Sequence, residues 1–435
     1  MAQKTLSIWM NGERVGTWSL IHGSSTLNYD ADWVSSPASR ALSLSLPFVP
    51  GNRPHTGKIV DHFFDNLLPD NETIRGRIQS RYGVGKDAFS LLSSIGRDCV
   101  GALQLLPGDE LPGDIRRVTG RALDEAGIER LLRNSLAGGA LSKTFHDDDL
   151  RISLAGAQEK TALLYHRGRW RLPTGATPTT HILKFPLGVI GGQGVHFPHS
   201  VENEWLCLRI MHHIGFAVPA CEVLKFGEFT VLSVRRFDRR EQDGWIARLP
   251  QEDFCQALGL PSHKKYEADG GPGILEVLRV LEGSSQAEAD RAAFFRAQMA
   301  FFLLAAPDGH AKNFSIHLTR GGGYRLTPFY DVMSLWPYIG SGNNQVRLPK
   351  VRLAMALRSK NAHSKILEIM PRHWDAVSTR AGLGSSATMR EEMATQVPAA
   401  IKEVERELPP GFPEALFEKV IKGMRENSKR LVSRL

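Results

Sequence analysis

Residues 307–318 read PDGHAKNFSIHL, and they follow FFRAQMAFFLLAA (294–306), an almost unbroken apolar segment. A chain leaving a buried helix usually passes through a bland turn. Here it delivers an acid, an imidazole, an amine and an amide within six residues: Asp308, His310, Lys312 and Asn313. Phosphoryl transfer from ATP asks for such a set, with a carboxylate to orient and accept the hydroxyl proton and oxygen ligands for Mg2+. In protein kinases an Asn follows the catalytic Asp by five residues, and a further Asp holds metal. Asp308 and Asn313 have that offset, and Asp331 follows in GGGYRLTPFYDVMS. The run 314–331, FSIHLTRGGGYRLTPFYD, reads as a β-hairpin whose second strand ends at Asp331, carrying it back beside Asn313 for one metal. Alone, an Asp and an Asn so spaced after a helix are mostly a cap or a turn. The reading therefore needs the other half of a site.

That half lies upstream. RISLAGAQEK (151–160) puts the small residues Ala155, Gly156 and Ala157 between two strand-like runs, a turn able to bring backbone N–H groups to phosphates. It is neither a Walker A sequence nor a GxGxxG loop, so as a motif it is weak. Lys184, in THILKFP (180–186), sits mid-strand among apolar neighbours, where an amine is costly unless it pairs with phosphate or carboxylate. Glu204 on the following helix is its candidate partner, with Glu202 the nearest rival; an edge-strand lysine facing water is the plain alternative. That helix, HSVENEWLCLRIMHHIGF (199–216), takes Ser200 as its N-cap. SVRRFD (233–238) ends the strand-rich region where a hinge would pass the adenine, with Arg235, Arg236 and Phe237 offering backbone groups.

The 435 residues, 42% apolar and 23% charged with a net charge of +8, describe a globular chain of two or three domains tilted mildly toward an anionic partner. The apolar run 294–306 is shorter than the ~20 residues of a membrane helix and contains Arg296 and Gln298. The start, MAQKTLSIWMNGERVG, lacks the pattern of a signal peptide. The four cysteines have no paired metal or redox spacing, which suits a reducing cytoplasm. Residues 1–50 alternate with period two around the turn Asn11-Gly12. Residues 60–106 read as helical with a short closing unit, LLSSIGRDCVGALQLLP. The stretch 107–147 is a connection with one helix, LDEAGIERLLRNSL, and its end, HDDDL, reads as a solvated loop rather than a metal site. The domain boundary is expected near residue 148. From 150 to 240 the pattern is strand-like with one helix, and beyond 240 mostly helical.

Taken together, FFDNLLPDN, SSIGRDCVGALQL, RISLAGAQEKTALL, PTTHILKFP, ENEWLCL, RRFDRR, LPQEDFCQALGLPSHKKYEADGGPG, PDGHAKNFS and YRLTPFYDVMS occur in fixed order along nearly the whole chain. In these the sequence resembles the HipA-type serine/threonine kinases, the toxin half of HipBA toxin–antitoxin modules. The resemblance implies an α+β, two-lobed, protein-kinase-like fold: a coupling subdomain over 1–148, a β-rich N-lobe over 149–240 and an all-α C-lobe over 241–435. It implies ATP and Mg2+ as cofactors. Ala155, Gly156, Ala157, Gln158, Glu159 and Lys160 are then the phosphate-binding loop, Lys184 the phosphate lysine paired with Glu204, and Arg235–Phe237 the hinge. Asp308 is the catalytic base. His310, Ala311, Lys312 and Asn313 lie on the nucleotide, and Tyr330 and Asp331 close the site, with Asn313 and Asp331 on the metal. Ser153 matches the family's autophosphorylation serine, where a phosphate would repel the loop that must accept ATP.

The resemblance further implies a HipB-like helix-turn-helix antitoxin as partner and a protein substrate in translation, an aminoacyl-tRNA synthetase such as glutamyl-tRNA synthetase, whose modification arrests growth. The chain departs from pattern in two places. Asp331 precedes Val332-Met333 rather than Phe-Gly, so no activation switch is inferred there. In PRHWDAVSTRAGLG (371–384), Thr379 and Gly382 stand where basic residues are expected, leaving Arg380, so operator DNA is read mainly through the antitoxin. A small-molecule kinase would use the same Asp, Asn and Asp. An inactive kinase-fold corepressor would typically have lost Lys184, Asp308, Asn313 or Asp331, and all four are present.

Overall fold

The structure, a computed structural model, describes residues 4–136, 153–156, 158–190 and 195–433. The expected boundary near 148, the HDDDL run and Ala157 lie outside the described residues. By packing, the chain divides into two units: Met1–Phe185, Leu224–His263 and Ser315–Tyr324 form the first, and Pro186–Val223, Lys264–Phe314 and Arg325–Leu435 the second.

In the first unit, the strand Lys4–Met10 turns through Asn11 (φ 48°) and Gly12 (φ 83°) into Glu13–Ile21. Two positive φ angles match the right-handed twist of a two-residue hairpin, and Asn-Gly tolerates both. Five antiparallel strands follow the order His55–Thr56, Ser24–Tyr29, Glu13–Ile21, Lys4–Met10 and Leu103–Pro107. The helices Lys58–Asp65 and Ala88–Ile95 supply apolar cover, with Trp18 stacked on Phe64 at 3.9 Å and Phe89 edge-on to it. Between them, Glu72–Tyr82 buries no residue; it rests on its caps, Asn71 accepting from Thr73 and Ile74, and Gly83 in the left-handed region.

A second, six-stranded sheet runs Cys221–Phe226, Phe229–Arg235, His181–Lys184, Lys160–His166, Arg169–Pro173 and Gly120–Ala122. The helix Glu125–Leu136 lays Ile128, Leu131 and Leu132 into a core shared with Leu163, Leu172, Leu183 and Val231. Beyond residue 240 the chain first continues as strand. Arg239–Gln242 and Trp245–Arg248 pair around Asp243 and Gly244, and Gln251–Asp253 opens a sheet with Ser315–Leu318 and Tyr324–Leu326. The expected hairpin is therefore present, but its second strand ends at Leu326 rather than Asp331. Pro328 has no N–H to donate to a ladder, and residues 327–334 run on as an irregular segment.

The second unit is mainly helical: Ser200–His213, Ala287–Leu304, Pro371–Ala381, Ser386–Arg406 and Glu414–Val432. Its strands are short pairs, Val189–Ile190 with Val195–His196 and Arg352–Arg358 with Ala362–Lys365; the latter, with the strands between 245 and 326, corrects the all-α reading of 241–435. The helix Ala287–Leu304 is buried continuously from Ala297 to Leu304, as a helix apolar all round must be. Its Phe295 and Phe302 meet Trp374 edge-on. The helix Ser200–His213 belongs here too, through Asn203 on Ser334 and Arg209 on Glu407. It starts one residue earlier than expected: His199 (φ 57°) holds the cap position, and Ser200 Oγ instead accepts the Leu187 N–H at 2.7 Å. No helix among the described residues is long and apolar enough to cross a membrane.

Candidate active site

The first unit carries the phosphate-loop residues. Ser153 is fully buried; its hydroxyl donates to the Leu67 carbonyl at 2.7 Å and its N–H to the Asp98 carbonyl at 3.3 Å. Gly156 bridges Pro69, and its carbonyl accepts the Asp70 N–H at 3.0 Å. Leu67, Pro69 and Asp70 belong to FFDNLLPDN, so that motif forms the seat of the loop. Gly156 has φ 111°, a conformation that other L residues adopt only with strain, so the turn favours glycine. The far side of the turn is pinned by Gln158 Nε2 donating to the Phe185 carbonyl at 2.6 Å, and by the Phe185 N–H donating to the Glu159 carbonyl at 3.1 Å.

Beyond the turn, Lys160 and Lys184 are direct cross-strand partners on Lys160–His166 and His181–Lys184. Opposed residues share a sheet face, and two amines so placed repel unless an anion lies with them. Lys184 is buried. This pair, beside a loop whose glycine has a positive φ, is chemically suited to a phosphate chain.

Arg235, Arg236 and Phe237 follow the strand Phe229–Arg235 to its end and beyond. The Arg236 side chain turns inward. The Arg236 backbone N–H donates to the Thr180 carbonyl at 2.8 Å, and its guanidinium is buried against Asp238 (2.7 Å) and Asp98 (3.3 Å). Arg239 reaches Asp98 at 2.9 Å and Asp238 at 3.0 Å, Arg248 reaches Asp98 at 3.3 Å, and Thr179 caps the cluster with two bonds to Asp98. Burial alone would raise the Asp98 carboxyl, but the three guanidinium groups and Thr179 hold it well below its ordinary range. Thus GRDCVG and RRFDRR meet in one buried ion network. Of the backbone groups expected at the hinge, the Arg236 N–H is taken by Thr180.

The second unit carries the residues around PDGHAKNFS. The helix Ala287–Leu304 ends with Ala305 in the left-handed region (φ 48°), turning the chain into the loop. Asn313 closes that loop on itself, donating from Nδ2 to the Asp308 carbonyl at 2.7 Å and from its N–H to the His310 carbonyl at 2.9 Å. The Asp308 carboxylate stays half-exposed while His310, Ala311, Lys312 and Asn313 are buried. His310 sets Nε2 3.5 Å from Asp308 Oδ1, and burial lowers its pKa from the ordinary value. Its buried Nδ1 has no partner among the described residues, a vacancy that a polar ligand atom would fill.

Tyr330 donates to the Lys312 carbonyl at 3.0 Å, joining the segment before Asp331 to the loop. Asp331 itself takes φ 60°, sparsely used outside glycine and concentrated at functional sites. Behind it, Ser334 is locked: its hydroxyl donates to the Leu304 carbonyl at 2.6 Å, and its backbone exchanges two bonds with the Asn203 side chain. Asn203 thereby fixes the helix bearing Glu204 to the segment bearing Asp331. Neither Asn203 nor the Leu67–Asp70 seat was singled out by sequence reading, although both sit inside quoted motifs.

The family model described as HipA N-terminal domain matches residues 6–106, and that described as HipA-like C-terminal domain matches 152–406. The chain is 34% identical over 396 residues to Y4mE of Sinorhizobium fredii, a protein named as a kinase, covering 88% of this chain and 87% of that one. It is 29% identical over 400 residues to the serine/threonine-protein kinase toxin HipA of Shewanella oneidensis, covering 88% and 85%. Among solved structures, Shewanella oneidensis HipA in complex with HipB and operator DNA superposes with a TM-score of 0.79 at 24% identity, over 98% of this chain and 97% of that one. The fold is thus the α+β, two-lobed, kinase-like fold of HipA-type proteins.

Proposed function

The chain belongs to the HipA family, and from that premise we propose that it is an ATP- and Mg2+-dependent protein serine/threonine kinase, the toxin of a type II toxin–antitoxin module. The observation that carries this reading is the 308–313 loop: a half-exposed carboxylate at the end of a buried helix, stapled by Asn313 to its own carbonyl. In this assignment residues 155–160 and Lys184 hold the ATP phosphates, Glu204 pairs with Lys184, and Arg235 and Phe237 meet the base. Asp308 orients and deprotonates a serine hydroxyl. His310, Ala311 and Lys312 face the nucleotide, with the orphaned Nδ1 of His310 as a contact. Bound on Asn313 and Asp331, Mg2+ would supply positive charge against the phosphates. The chain's own contribution is preorganisation within the 308–313 loop, where Asn313 is fixed on the Asp308 carbonyl before the acceptor arrives, so little reorganisation is needed there during transfer.

The coupling subdomain (1–148), N-lobe (149–240) and C-lobe (241–435) are assigned as in the family. A HipB-like antitoxin, itself bearing most of the operator contact, is the proposed partner. A translation component, with aminoacyl-tRNA synthetases foremost, is the proposed substrate, and the cytoplasm the proposed location. Ser153 is the proposed self-silencing site. A phosphate there adds nearly two charges to a side chain with no exposed surface, so the phosphorylated loop must leave its Leu67–Asp70 seat.

The test is incubation of the full chain with labelled ATP and Mg2+ and mass mapping of the product, beside Asp308→Gln and Ser153→Ala. Phosphate on Ser153 in the parent protein, absent in both variants, is expected. No incorporation by folded protein that starts unphosphorylated would overturn the kinase reading.

A further inference from the structure

The run KKYEADGGPG (264–273) lies within a motif shared with the family, yet none of its residues has a part in the reaction as assigned above. In the structure it presents one side chain to the reacting carboxylate. The Tyr266 hydroxyl donates to Asp308 Oδ1 at 2.5 Å, and the Tyr266 ring meets His310 edge-on with centroids 4.8 Å apart.

The tyrosine does not reach Asp308 by a floppy excursion. Its carbonyl accepts two bonds from the turn that follows, from the Asp269 N–H at 3.0 Å and the Gly271 N–H at 2.9 Å. Gly270 has φ 87°, and a Cβ on Gly271 would collide with the Lys264 carbonyl, so the double glycine is what lets the turn close under the ring. On one side, the Lys265 carbonyl accepts the Ala311 N–H at 3.1 Å, tying the run to the 308–313 loop itself. On the other, Glu267 accepts the Ala356 N–H at 2.6 Å and pairs with Arg358 at 2.5 Å. Tyr266 is therefore held from both flanks with its hydroxyl aimed at one oxygen.

We propose that Tyr266 is a positioning residue for the phosphoryl transfer: by donating to Oδ1 it fixes the plane of the Asp308 carboxylate and directs Oδ2 toward the acceptor hydroxyl. A half-exposed aspartate otherwise rotates freely about its last torsion, which is broad and two-fold. Oδ1 also faces His310 Nε2, whereas Oδ2 has no hydrogen bond among the described residues. A hydroxyl arriving at the site thus finds one oxygen of known direction. The buried His310 ring backs the tyrosine. The inference rests on the kinase reading, with Asp308 as base.

The experiment uses the full chain, with ATP and Mg2+ as ligand and the chain itself as acceptor. Tyr266→Phe keeps the ring against His310 and removes only the hydroxyl. Expected are an initial phosphorylation rate about 10-fold lower, the order of one lost charge-assisted bond, and an unchanged KM for ATP. Calorimetric affinity for MgATP and the melting temperature also stay unchanged. Asp308→Asn lowers transfer to a residual rate, and adding Tyr266→Phe to it lowers that residual rate no further, because residues acting as one unit are non-additive. A parent-like rate in Tyr266→Phe would overturn the proposal. So would a loss appearing in KM and melting temperature together, which marks a structural role. Phosphate found on Tyr266 itself would overturn it too, making the hydroxyl an acceptor. An inactive parent protein strikes the kinase reading first, and is told apart by the parent reaction alone.

Discussion

Glu252 is a carboxyl with no exposed surface, bonded by Ser43 Oγ at 2.5 Å and by the Leu44 N–H at 2.8 Å. Those donors favour the charged form, but burial outweighs them and pushes its pKa from an ordinary 4.5 up to about 8. A carboxyl with a raised folded pKa holds its proton more tightly in the folded chain. Its stabilisation is complete below about pH 4.5, declines as pH rises and is gone above about pH 8. Glu252→Gln cannot titrate, so its stability relative to the parent should rise across that window, by up to about 1.4 kcal/mol per pH unit. Urea unfolding of both proteins at pH 5, 6.5 and 8 measures the difference, and parallel pH profiles would remove Glu252 from the account. Nothing in PQEDF marks this residue beforehand, since a Glu between Gln and Asp reads as surface. Asp308, Asn313 and Asp331, the proposed reacting set, can be picked out in the sequence because kinase chemistry asks for those types at such spacing. Tyr266 cannot, because its bond to Asp308 spans 42 residues and depends on a glycine turn closing beneath it.

Between elements, the buried network decides what the motifs are for. Two carboxylates, Asp98 and Asp238, face three guanidinium groups from Arg236, Arg239 and Arg248, all nearly without exposed surface. Removing one partner of such a cluster leaves an uncompensated charge in a dry interior. Asp98→Asn keeps the shape and deletes the charge that three arginines share, so a loss of about 3–5 kcal/mol in unfolding free energy is expected from denaturant titration. A loss below about 1 kcal/mol would mean that water reaches the cluster. The Asp98 contribution is present above its ordinary 3.8 and lost only as pH falls toward its depressed value. Sequence reading assigned RRFD to a hinge because a strand ends there, and that much holds for the strand Phe229–Arg235. What periodicity does not reveal is which face each arginine takes, and here Arg236 turns inward to Asp98. The hairpin turns at Asn11-Gly12 and Asp243-Gly244 are the opposite case, with local sterics alone deciding both. The strand ending at Leu326 rather than Asp331 lies between: YRLTPFYD alternates well enough, but the missing Pro328 donor ends the ladder.

Across the whole molecule, a net charge of +8 suits an anionic partner without saying where one binds. If the proposed antitoxin bears most of the operator contact, this chain's basic residues need not face DNA. The helix Pro371–Ala381 gives that idea physical content. Gly382 caps it with φ 65°, accepting the left-handed conformation that a lysine or arginine adopts only with strain. Thr379 is uncharged, and Arg380 directs its guanidinium to the carbonyls of Arg358 (3.1 Å) and Ser359 (3.4 Å). An arginine neutralising a DNA phosphate releases a counterion, so its loss reduces the slope of log K against log salt by about 1. In the assembly of this chain with its antitoxin and operator duplex, Arg380→Ala should therefore leave the slope within about 0.5 of the parent's. Fluorescence anisotropy at several salt concentrations measures it. A reduction of a full unit would show Arg380 leaving its two carbonyls for the DNA backbone, and this helix would then be an operator contact despite the glycine and threonine beside it.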